Sequence, residues 1–206
     1  MNTKIHSSSR RGFLKGVAVG ASGYALSSLL IYPKEAMGQS IEDYLGKVPM
    51  EARWKIATSS GVLLNVRFLK ARYDQEGKEK FVESAKQRGP VSGAQLKGLA
   101  DSLGFTGNDA KSMAAIMPAL MTIFSGPEQK YEIEEATEEK ARVKCTNCAL
   151  WNAAQRMKIT EDICSSGSQY MLDGLAKALN PKLTSTLVKA RPLGDSVCEW
   201  VIELKA

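Results

Sequence analysis

The spacing of apolar residues first changes at Ser125-Gly126-Pro127, and that change limits the folds open to the chain. Before it, apolar residues recur at steps of three and four, the spacing of one helix face. After it, they alternate with charged residues, the spacing of a half-buried strand. Helices first and strands later point to an α+β fold, not to alternating layers around a parallel sheet.

In the helical part, Gln39 to Pro49 reads as a linker with a short helical piece over Ile41–Gly46. A helix is expected over Met50–Tyr73, with Trp54, Ala57, Gly61, Leu64, Phe68 and Ala71 on one apolar face. A second runs from Gly77 to Gln87 on Phe81, Val82 and Ala85, and Gly89-Pro90 is expected to stop it. A third spans Ser92–Leu103. A fourth, capped by Asn108-Asp109, covers Ala110–Phe124 with Pro118 inside it. Met113, Met117 and Met121 lie four apart on that helix; such a stripe is core filler first, and second an adaptable wall for an apolar ligand.

The later part opens with a hairpin of Lys130–Ala136 and Lys140–Cys145. A short helix follows over Cys148–Met157, then a long one over Glu161–Leu179 with Thr160 as its N-cap. Strands Lys182–Ala190 and Ser196–Leu204 turn at Pro192-Leu193-Gly194-Asp195. The expectation is one α+β domain over residues 39–206: N-terminal helices (39–127) packed on an antiparallel sheet of about four strands (128–206), with a long helix between two hairpins.

Residues 1–38 read as an export leader. Ser9-Arg10-Arg11-Gly12-Phe13-Leu14-Lys15 matches the twin-arginine motif, and a small-residue apolar stretch follows to Tyr32. Ala36-Met37-Gly38 places cleavage before Gln39. The expected partner is the twin-arginine translocase, and the expected location is the periplasm or the cell exterior. Five cations against Glu35 assign +4 of the chain's +6 to the leader, leaving +2. That residue of charge, with no basic stripe among aromatics, argues against nucleic-acid binding. No membrane span is expected in the remainder.

Histidine occurs only at position 6, inside the leader, so the remainder has four cysteines and no imidazole. Cys145 and Cys148 have chelating spacing, Cys198 lies on a strand face with Trp200, and Cys164 falls at a helix start. Three readings stand open: a metal site of all four thiols, disulfides or inert thiols, and a nucleophilic Cys164. Export in the folded state favours a metal loaded in the cytoplasm. Zinc suits four thiolates, and an iron–sulfur cluster uses the same ligands.

The strings Cys164-Ser-Ser-Gly-Ser-Gln-Tyr170 and Leu193-Gly194-Asp195-Ser-Val-Cys198-Glu-Trp200 resemble two related families. One is the L-2-amino-thiazoline-4-carboxylic acid hydrolase-like family; the other comprises the 4-vinyl-reductase-type small-molecule-binding domains. The second resemblance implies a small hydrophobic ligand and a zinc held by cysteines, with Cys164 and Cys198 at two ligand places. Ala190 stands where such domains can have a further cysteine, and Cys145 or Cys148 would replace the hairpin ligand. The first implies opening of a cyclic C–N bond, with Cys164 as the nucleophile. A small-molecule pocket between helices and sheet is expected, with Met113, Met117, Trp151 and Trp200 as wall residues. An iron–sulfur accessory or electron-transfer subunit is the third reading.

Overall fold

The structure is a computed structural model, and it describes residues 41–205. The twin-arginine motif with Arg10 and Arg11, and the rest of the leader, lie outside the described residues. The chain divides into a unit up to Pro49 and a unit from Met50 onward. Of the first, the described part holds helix α1 (Ile41–Gly46). Everything below concerns the second.

Helix α2 (Met50–Glu76) is followed by α3 (Lys78–Ser102), separated by Gly77 alone. Gly77 has φ +76°, a backbone conformation that side chains disfavour and glycine adopts freely. The expected break at Gly89-Pro90 does not occur: the second and third expected helices are one. Proline disfavours a helical residue before it chiefly through a clash with that residue's Cβ. Gly89 has none, so the helix continues.

Helix α4 (Ala110–Ser125) starts as expected, with Asp109 Oδ1 accepting from the Ser112 N–H at 2.7 Å, and continues through Pro118. Strands β1 (Lys130–Ala136) and β2 (Lys140–Asn147) form the first hairpin. Helices α5 (Ala149–Arg156) and α6 (Ser165–Leu179) lead to β3 (Leu183–Lys189) and β4 (Cys198–Leu204). The sheet order is β1-β2-β4-β3, with every neighbouring pair antiparallel. The α+β architecture thus stands as expected: helices first, then a four-stranded antiparallel sheet.

Two apolar clusters hold the unit together. The main one joins the inner sheet face (Val143, Cys145, Cys198, Trp200, Ile202) to α4 and α6 and to the second half of α3. The other joins Val62 and Val66 of α2 to Phe81 of α3, Ala153 and Ala154 of α5, and Ile159 and Ile163. The buried face of α2 is therefore not the expected one. Leu64 and Phe68 are exposed on the side opposite Val62 and Val66. Both sides of this helix are apolar, so periodicity marks two candidate faces and does not choose between them.

On the outer face of the sheet, Glu199 of β4 carries its charge under cover. Arg142 and Lys189 pair with its two carboxylate oxygens, the latter at 2.9 Å, and hold its pKa below the usual carboxylate value. The open edge of β3 is closed by α6. The Gln169 amide donates to the Ser185 carbonyl at 2.8 Å and its oxygen accepts from the Leu187 N–H, as a neighbouring strand would. Asp173 Oδ1 accepts from the Ser185 N–H at 3.2 Å.

Helices α3 and α6 meet backbone to backbone. A Cβ on Gly93 would lie 2.2 Å from the Gly174 carbonyl carbon, and one on Gly174 would lie 2.5 Å from the Gly89 oxygen. Neither neighbour is a flexible side chain, so the helices would have to separate. Gly93→Ala should cost at least ~2 kcal/mol in urea unfolding. Gly98→Ala, on the same helix in open space, should raise stability by about 0.5–1 kcal/mol. Equal effects at the two positions would contradict this packing.

Candidate four-thiol site

Strands β2 and β4 place Cys145 directly opposite Cys198, both on the inner face and both buried. Strand β2 ends at Asn147, and the next residue, Cys148, is the N-cap of α5, its sulfur accepting from the Trp151 N–H at 3.4 Å. Cys164 stands immediately before α6, not inside its first turn as expected. Thr160 is not that helix's cap. Asp162 takes the role: its Oδ1 accepts from the N–H groups of Cys164 at 3.2 Å and Ser165 at 2.9 Å. The Cys164 side chain makes no capping bond.

Three further residues position the cysteines, two by bonding a sulfur and one by bonding the Cys164 backbone, and sequence reasoning missed them. Gln129 is buried; its amide donates to Cys145 Sγ at 3.2 Å and its oxygen accepts from the Ala149 N–H at 2.8 Å. It therefore locks the end of β2 to the start of α5. The Arg191 N–H donates to Cys198 Sγ at 3.4 Å, and its guanidinium donates to the Thr146 and Ser196 carbonyls at 3.0 and 2.9 Å. Asp162 is the third. Each sits in a loop or strand end where no periodicity marks it; only nearness in sequence to Cys164 or to the Gly194 turn could have drawn attention to two of them.

The thiols share one electrostatic environment. A hydrogen bond from Cys145 raises its own pKa well above the ordinary thiol value and lowers that of its acceptor, Cys148, to about 6. The Trp151 and Leu150 N–H groups and Arg191 also stabilise the Cys148 thiolate. Burial pushes Cys164 and Cys198 up, and the negative charge of Cys148 adds to both. All four are free of disulfides. Among the described residues, no group of three or more His, Cys, Asp or Glu stands in metal-holding geometry. The donor set nonetheless fits a thiophilic cation in kind: four soft sulfurs, with no histidine among the described residues. The acidic thiol is Cys148, whereas burial keeps Cys164, the expected nucleophile of the hydrolase reading, protonated.

The expected pocket wall is divided. Met113, Met117 and Trp200 are packed in the main cluster, and Trp151 lies against the other. None of them lines the cavity of about 250 Å³ between α6 and the β3–β4 connection, which Ser166, Gln169, Tyr170, Leu187 and Leu193 help to form. Leu187 also packs on the main cluster and lies opposite Trp200 across the β3–β4 pair. Trp200 Nε1 and Ser185 Oγ are buried without a hydrogen-bond partner, as is Ser166 Oγ at the cavity. Among the described residues no helix is long and apolar enough to cross a membrane.

The fold is shared with a solved structure. The chain is similar to the crystal structure of the phenol-responsive sensory domain of the transcription activator PoxR with phenol: TM-score 0.54, 14% identity, covering 69% of this chain and 74% of that one. No family model matches the sequence. No curated protein matches it either.

The free-thiol electrostatics carry a direct expectation. In chelator-treated protein, iodoacetamide should modify Cys148 first, with a rate that rises through about pH 6 and levels off above it, because the thiolate is the nucleophile. Peptide mapping that finds Cys164 fastest, or a midpoint near the ordinary thiol value, would contradict it.

Proposed function

We propose that this chain is an exported small-molecule-binding domain of the hydrolase-like and vinyl-reductase-like group, with a structural metal held by its four cysteines. The ligand is a small apolar or aromatic molecule with one hydrogen-bonding group, entering by the cavity beside Leu187. The observation that carries the reading is the pair of unpartnered buried polar atoms, Trp200 Nε1 and Ser185 Oγ, beside an apolar layer. Buried polar groups without partners are rare and call for a water or a ligand. The PoxR sensory domain, which has a similar fold and responds to phenol, supports the same class of ligand.

Cys145, Cys148, Cys164 and Cys198 would hold the metal, zinc in the first place and an iron–sulfur cluster in the second. Four sulfurs leave no open coordination position, so the group would supply rigidity and not hydrolysis. That favours a binding role over the thiazoline hydrolase reading. The twin-arginine motif at Arg10 and Arg11 supports export, with the translocase as partner.

Phenol is the first probe. Calorimetry should show binding that weakens about tenfold or more in Trp200→Phe, which keeps an aromatic ring but removes the N–H donor, while the smaller ring lowers the unfolding midpoint without abolishing the cooperative transition. Unaltered phenol binding in Trp200→Phe and Ser185→Ala would contradict the proposed locus.

A further inference from the structure

The outward face of α2 is apolar and, apart from the half-buried Trp54, exposed within its unit. Met50, Trp54, Ala57, Gly61, Leu64, Phe68 and Ala71 follow one another at alternating steps of four and three residues. That is the 3.5-residue repeat of a helix that packs along another helix. Met50 is 73% exposed, Leu64 64% and Phe68 58%. The opposite side of the helix is already committed, through Val62 and Val66, to the smaller apolar cluster. No rotation of α2 could bury both faces in one protomer.

We propose that this face is the seat of a second copy of the chain, with the two α2 helices packed antiparallel about a two-fold axis near Ser59. The sizes of the side chains select this partner and this direction. Antiparallel pairing sets Met50 against Phe68, Trp54 against Leu64 and Ala57 against Gly61, each pair made twice. Large residues meet at both ends, and small ones meet at the crossing. A Cβ added at Gly61 would touch nothing among the described residues, so its smallness has no use within that part of the fold. A two-fold axis makes one stripe complementary to itself, which a different protein could match only with a stripe of the same pattern.

The extent of the surface agrees. Trp54 Nε1 donates to the Ile123 carbonyl at 3.2 Å, which joins the end of α4, with its exposed Ile123 and Phe124, to the stripe. Together these side chains offer roughly 600 Å² of apolar surface, close to the ~800 Å² per partner of a stable interface. Antiparallel helices also bring opposite ends of their dipoles together.

Light scattering on the full chain at tens of micromolar tests this. The expected particle has twice the 22.4 kDa chain mass. Leu64→Glu should give a monomer whose circular dichroism and unfolding midpoint, read at low concentration, match the parent, and Gly61→Leu a monomer with a midpoint at or above the parent's, since it replaces an exposed glycine inside a helix. Both positions are exposed, so neither change removes packing inside the protomer. A monomeric parent would overturn the proposal, whether residues before Met50 or another protein cover the face. A dimer that survives both substitutions would overturn it equally.

Discussion

The contact between α3 and α6 is the constraint on which the rest of the structure depends. Gly89, Gly93 and Gly174 let two helix backbones approach without intervening side chains. That closeness fixes where α6 lies over the sheet. From there Gln169 and Asp173 reach the edge of β3, and the N-terminal end of α6 brings Cys164 towards the other thiols. A wider spacing would leave the Ser185 and Leu187 backbone groups without partners and the fourth sulfur out of place.

The thiols gather at the seam between the two apolar clusters. Cys145 and Cys198 belong to the main cluster through the sheet, while Cys148 begins α5, whose Ala153 and Ala154 belong to the other. Four sulfurs in one buried neighbourhood resist full ionisation, since each thiolate raises the pKa of the next. The free protein therefore concentrates its charge on Cys148, where N–H groups at a helix start and the Cys145 thiol receive it.

Much of this was legible in the sequence, and the parts that were not share a cause. Strand alternation located all four strands, and the order of elements followed from the changes of period along the chain. Phase placed Cys145 and Cys198 on the inner sheet face, where the strand register sets them opposite each other. Gly89-Pro90 misled because its meaning depends on a partner helix: glycine there serves a close crossing, and its missing Cβ lets proline stay within a helix. The buried side of α2 was misassigned because the helix has two apolar faces, and tertiary packing chooses between them. Gln129, Asp162 and Arg191 had no signal of their own, since a loop side chain that holds a sulfur follows no repeat.

The sharpest test of the four-thiol account is X-ray absorption at the metal edge of protein isolated without chelators or histidine tags. The account predicts one tightly held thiophilic metal site with a shell of four sulfurs, at about 2.3 Å if the ion is zinc. A shell containing nitrogen or oxygen, or protein that carries no stoichiometric metal and two disulfides, would contradict it.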